Sequence, residues 1–171
     1  MVERFTKAIS DVPNIDLLPH IGQAFQNIAL AKVATSAEEA VRLGHLQPTD
    51  GISLNRDHLL YHAKSRALGM ARASYRPPRP LELRAAGHDA AKTLAASVWG
   101  MVEGGWASPH DGLIANKIAG VLCGGVVAEG TLLGEQHYLD LEREAFMSLC
   151  GEKKTHERIE HMLKNGKPLR N

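Results

Sequence analysis

Aromatic side chains are scarce, with Phe, Trp and Tyr making up 5% of 171 residues. β-Branched residues are thinly spread, whereas Ala and Leu abound. That balance argues against a sheet-dominated core and favours helix. Cysteine is nearly absent, with only Cys123 and Cys150. Each closes an apolar run just before a glycine and reads as a buried, reduced thiol rather than half of a disulfide. No stretch is long and apolar enough for a membrane span, and Met1-Val-Glu-Arg-Phe5 lacks the apolar segment of a secretory signal. A cytoplasmic location is therefore expected. Neither sign of charge is in excess: 20 Lys and Arg face 19 Asp and Glu, a net charge of +1. This argues against a strongly electrostatic nucleic-acid binder, and neither nucleic acid nor membrane is an expected partner.

What is present is helical periodicity. An apolar content of 44% is ordinary for a globular protein and too high for a disordered one. Val2, Phe5 and Ile9 suggest a turn or two of helix, stopped by Pro13. Asp16 looks like an N-cap for a helix carrying Leu17, Ile21, Phe25 and Ile28, with Pro19 in its first turn. Thr35-Ser-Ala-Glu-Glu39 is a capping-box pattern ahead of a short helix ending near Gly44. Ile52-Ser-Leu54 suggests a short strand, and Asn55 caps a long helix from Arg56 to Ala73.

Pro77, Pro78 and Pro80 then form an extended connector. Beyond it, residues 89–102 are Ala-rich and helical, and Ser108-Pro109 with Asp111 starts the next helix. Gly130-Thr131 opens a last long helical stretch. There Leu139, Leu141, Ala145, Phe146 and Leu149, and after Gly151 also Ile159, Met162 and Leu163, form two amphipathic stripes that need cover. The pattern predicts a mainly α chain of about seven helices with little strand. Its segments are 1–75, a connector at 76–80, and 81–171.

Nine histidines invite a search for chemistry. His58 and His62 share a helix face, but the residues between them supply no carboxylate for a zinc-protease motif, and two ligands are few for zinc. A surface role fits them better, and no metal ligand is assigned. His110-Asp111 and Glu135 with His137 have acid–base composition, yet both fit the first turns of helices. Cys150 with His156 or His161 could be drawn as nucleophile and base, but nothing nearby activates the thiol. Gly120 to Gly125 closes a helix instead of opening one after a strand, so it is no phosphate cradle. Spacing alone assigns no catalytic residue.

Three strings carry a resemblance that covers most of the chain: Ala31-Lys-Val-Ala-Thr-Ser-Ala-Glu-Glu-Ala40, Asp50-Gly-Ile-Ser-Leu-Asn-Arg-Asp57, and 141–171 with its Glu142-Arg-Glu-Ala-Phe146, Glu157-Arg-Ile159 and Lys167-Pro168. Ser36–Gly44 resembles a segment near the end of the crotonase (enoyl-CoA hydratase/isomerase) core. The chain as a whole is similar to the C-terminal part of long bacterial 3-hydroxyacyl-CoA dehydrogenases that end in a crotonase-like domain. The resemblance implies a piece, or stand-alone remnant, of a fatty-acid β-oxidation oxidoreductase.

In such a parent the NAD site, the oxyanion hole for the acyl-CoA thioester and the acid/base residues lie upstream of this region. The resemblance therefore brings no catalytic residue and no cofactor of the chain's own. It implies an inactive helical module for packing and oligomerisation, partnered by a second copy or by the missing core. In many crotonases the last helix lends a Phe and a Lys to CoA; aligned on Pro168, this chain has Met162 and Asn165 there. Lys164 and Lys167 stand nearby as candidates for CoA phosphates. The alternative is a self-sufficient helical protein that binds CoA or a protein partner.

Overall fold

A computed structural model of the chain describes residues 1–6, 9, 12 and 15–171. Pro13, expected to stop the first helix, lies outside the described residues. The described chain is mainly helical: eight α-helices, one 3-10 turn and a single two-stranded sheet. It divides into two compact units, residues 1–32 with 81–171, and residues 33–80.

The larger unit holds α1 (Val2–Thr6), α2 (Leu18–Ala29), β1 (Glu82–Arg84), α5 (Gly87–Glu103), α6 (Pro109–Leu122), β2 (Leu132–Gly134), α7 (Glu135–Cys150) and α8 (Lys153–Asn165). Local chemistry explains the starts of α2 and α6. The Leu18 N–H donates to Asp16 Oδ1 at 2.9 Å, meeting one of the orphan donors of α2. At α6 the Ser108 hydroxyl accepts from the Asp111 N–H at 3.1 Å, and the Asp111 carboxylate accepts from the Ser108 N–H at 3.0 Å. This reciprocal capping box sits beside Pro109, whose missing N–H costs nothing in the first turn.

Helix α6 is the centre of the unit, packing against α5, α2 and α7. Its Ala119, Leu122 and Cys123 meet Ile21 and Phe25 from α2, Leu94 and Val98 from α5, and Leu83 and Ala86 around β1. β1 pairs antiparallel with β2, setting Leu83 opposite Leu133. Two glycines are required by this packing. Gly87 has φ +82°, and a Cβ there would lie 2.6 Å from the Glu129 backbone nitrogen. Gly124 has φ +89°, and a Cβ there would lie 2.6 Å from Leu133 and 2.9 Å from Ala85. Only glycine tolerates both the left-handed φ and the close approach.

The smaller unit contains α3 (Ala37–Arg42), the 3-10 turn Arg56–His58 and α4 (Leu59–Arg72). The Ser36 hydroxyl accepts from the Glu39 N–H at 3.0 Å, as the capping pattern predicts. The Glu39 carboxylate, however, binds the Thr35 N–H and hydroxyl rather than reaching Ser36. Asn55 caps the 3-10 turn through the Asp57 N–H at 2.9 Å. No residue of α3 or α4 is buried.

Two sequence expectations are corrected here. Ile52-Ser-Leu54 is not a strand; the strands are 82–84 and 132–134, where each supplies the other's ladder partners. Gly130-Thr131 does not open a helix, because the chain first runs through β2 and α7 begins only at Glu135.

Candidate functional site

The larger unit carries an apolar groove of ≈ 460 Å³. α7 supplies Leu139, Phe146 and Leu149, α6 supplies Ile118 and Val121, and Leu83 comes from β1. The stripe repeats every three to four residues along α7, so helical pitch alone brings these side chains to one face. Charge is confined to a few groups: Glu135 and Glu142 from α7, Glu3 from α1 and Lys117 from α6.

Tyr138 also lines the groove. Its hydroxyl oxygen is buried and is the one such side-chain atom without a hydrogen-bond partner among the described residues. Burial, and secondarily Cys123, push this phenol up to about 12. Burial likewise pushes the Cys123 thiol up to about 11, far from the thiolate that a nucleophile needs.

A second polar cluster joins the start of α6 to α8. Arg158 Nη1 donates to Asp111 Oδ1 at 2.7 Å, and Arg158 Nε donates to Asn171 Oδ1 at 2.8 Å. Asn171 Nδ2 donates in turn to Glu157 Oε2 at 2.7 Å. Burial works to raise the Asp111 carboxyl. The Ser108 N–H, the Arg158 guanidinium and the Ser108 hydroxyl outweigh it and hold the group below the ordinary value of 3.8. Beside this cluster the buried His110 meets Thr155, with Nε2 3.1 Å from its hydroxyl. The arrangement docks α8 onto α6.

The acid–base pairs suggested by composition are not assembled. His110 faces Thr155 while Asp111 faces Ser108 and Arg158. His137 Nε2 donates to the Gly124 carbonyl at 3.0 Å instead of meeting Glu135. His156 Nε2 donates to the Cys150 carbonyl, not its thiol, and His161 Nδ1 accepts from Asn165 at 3.1 Å. In the smaller unit His58 and His62 are exposed, with ring centroids 5.9 Å apart, and His62 Nδ1 lies 2.8 Å from the Ser53 hydroxyl. Among the described residues no three His, Cys, Asp or Glu side chains come together as a metal site would require.

Lys164 and Lys167 are both exposed at the end of α8. Lys164 pairs with Glu160 one turn earlier, and Asn165 is turned back onto His161. Sequence reasoning missed the groove and the Arg158 cluster. The groove draws on five elements, α1, α2, β1, α6 and α7, and Arg158 stands 47 residues from Asp111, so neither leaves a local signal.

Among the described residues no helix is long and apolar enough to cross a membrane. No family model matches the sequence, and no solved structure matches it. A comparison with curated proteins does find a relative. The chain is 44% identical over 149 residues to a protein of Bacillus subtilis (strain 168) named "Probable 3-hydroxyacyl-CoA dehydrogenase". The match takes in 87% of this chain but only 19% of that protein. The chain is thus similar to a segment of a dehydrogenase-named protein, and it spans about a fifth of that relative's length.

Proposed function

We propose that this chain is a helical part of a fatty-acid oxidation enzyme of the 3-hydroxyacyl-CoA dehydrogenase type, one that packs and oligomerises and does no chemistry alone. The observation that carries the reading is the 44% identity over 149 residues to a protein of that name. Oxidation of a 3-hydroxyacyl-CoA by NAD, and hydration of an enoyl-CoA by a crotonase-like core, would belong to the rest of such an enzyme. The apolar surface supports the packing role. Leu54, Leu60, Trp106, Val126 and Leu163 are each more than 80% exposed, and α7 and α8 bury no residue. The uncovered stripes of α7 and α8 support a reading in which a partner covers them.

The direct test is a chimera in which the matching residues of the Bacillus subtilis protein are replaced by those of this chain. Its NAD-dependent oxidation of a 3-hydroxyacyl-CoA should stay within about fivefold of the parent's, roughly 1 kcal/mol in barrier. A folded chimera with no activity would overturn the reading. The isolated chain should neither reduce NAD with a 3-hydroxyacyl-CoA nor hydrate crotonyl-CoA.

Lys164 and Lys167 extend the proposal to the CoA phosphates, their ammonium groups being exposed at the end of α8. Calorimetric titration of the chain with CoA should give a weak isotherm that Lys164→Ala with Lys167→Ala abolishes. An isotherm unchanged in that variant, or no heat at about 1 mM ligand, would remove the CoA contact.

A further inference from the structure

We infer that the face formed by the α7 groove and α8 is the surface on which two copies of this chain join, the α8 of each lying in the other's groove. The inference rests on the oligomerising role proposed above and names its surface.

Three observations carry it. α8 is amphipathic without being covered: Ile159, Met162 and Leu163 form one stripe, with exposures of 45%, 46% and 81%. The α7 groove is its apolar counterpart, with Leu139 and Phe146 45% and 59% exposed. The charges are opposite. α7 carries Glu135, Asp140, Glu142 and Glu144 against Arg143 alone, and Glu135 and Glu142 line the groove itself. From α8 onward the chain exposes Lys153, Lys154, Lys164, Lys167 and Arg170 against Glu157 and Glu160, which pair on the solvent side with Lys153 and Lys164, while Arg158 is held by Asp111.

Like-on-like contacts of α7 would set carboxylate against carboxylate, whereas α8 on α7 sets ammonium against carboxylate. The proposed contact is reciprocal. A two-fold axis makes it twice, α8 to groove and groove to α8, and so closes the assembly at two copies. At 13 and 16 residues the helices are long enough, about 20 and 24 Å, to bury a standard interface when doubled.

The test uses the full chain, sedimentation equilibrium and circular dichroism. The wild type should be a dimer at about 10 μM, weakened at least tenfold by 0.5 M NaCl. Two variants divide the surface: Glu135→Lys with Glu142→Lys in the groove, and Lys153→Glu with Lys164→Glu on α8. Each alone should be monomeric with unchanged helicity. An equimolar mixture of the two should dimerise, because the groove of one then matches the helix of the other. Leu163→Asp, at a site too exposed to disturb folding, should weaken the dimer at least tenfold.

A monomeric wild type overturns both this surface and oligomerisation by the isolated chain. So would the finding that the chain associates only with the remainder of a longer dehydrogenase. A dimer indifferent to the charge variants and to Leu163→Asp overturns the surface while leaving oligomerisation standing. Failure of the mixture to pair, with both variants folded, also overturns it.

Discussion

At the scale of single residues, the decisive features are close approaches and buried groups. Gly124→Ala places a Cβ 2.6 Å from Leu133 at a left-handed φ, and should cost about 3 kcal/mol in chemical denaturation. An unchanged midpoint would show that the helix end moves freely there. Tyr138 gives a spectroscopic reading. Its phenolate absorbance should emerge only as the pH approaches about 12. Because the folded value is raised, the stability it contributes is complete below the ordinary phenol value of 10.0 and is lost as pH rises toward the folded one. With the exposed Tyr61 and Tyr75 replaced by Phe, a Tyr138 fully ionised at pH 11 in the native state would contradict the burial. The local caps were legible in sequence, since Ser36, Asn55 and Ser108 act within three residues of themselves. The target of the Glu39 carboxylate was not, because Thr35 offers a hydroxyl as well as an N–H and the choice is made by geometry.

Among elements, the docking of α8 on α6 is the joint most open to test. Arg158→Ala removes hydrogen bonds to Asp111 and Asn171 from a side chain only 19% exposed, and should cost about 2 kcal/mol. Ser108→Ala, which removes a cap, should cost about 1 kcal/mol. Both are read as shifts in denaturation midpoint, and equal small shifts would mean that the ion pair is no more than a solvated contact. The joint also carries a pH dependence. Asp111 is held below its ordinary value, so its contribution is present above 3.8 and fades as the pH falls through the folded value. Arg158→Ala should flatten that acid limb. Helix periods were readable for α2, α5, α6 and α8, whose stripes are long. The two strands were not, because three residues carry too little alternation and their partners lie far along the chain.

The whole molecule is governed by where its core lies. Every residue of the buried cluster falls within 1–32 or 81–171, and none within 33–80. Replacing residues 33–80 with a Gly/Ser linker of about ten residues should therefore leave a cooperative thermal transition by circular dichroism. Loss of that transition would place essential packing in the deleted unit. The mainly helical class was legible from composition, because abundant Ala and Leu with few aromatics leave few other ways to build a core. The groove was not, since its walls come from elements far apart in sequence. The β1–β2 ribbon has a consequence of another kind. It joins the segment that enters α5 to the segment that leaves α6, so that this helical hairpin is clasped at its open end. A chain cut between Gly104 and Gly105 would yield two pieces, one bearing β1 and α5 and the other α6 and β2. Each would display both a strand and a helix face that fit the other, and the pieces should reassemble when mixed, as a split protein does.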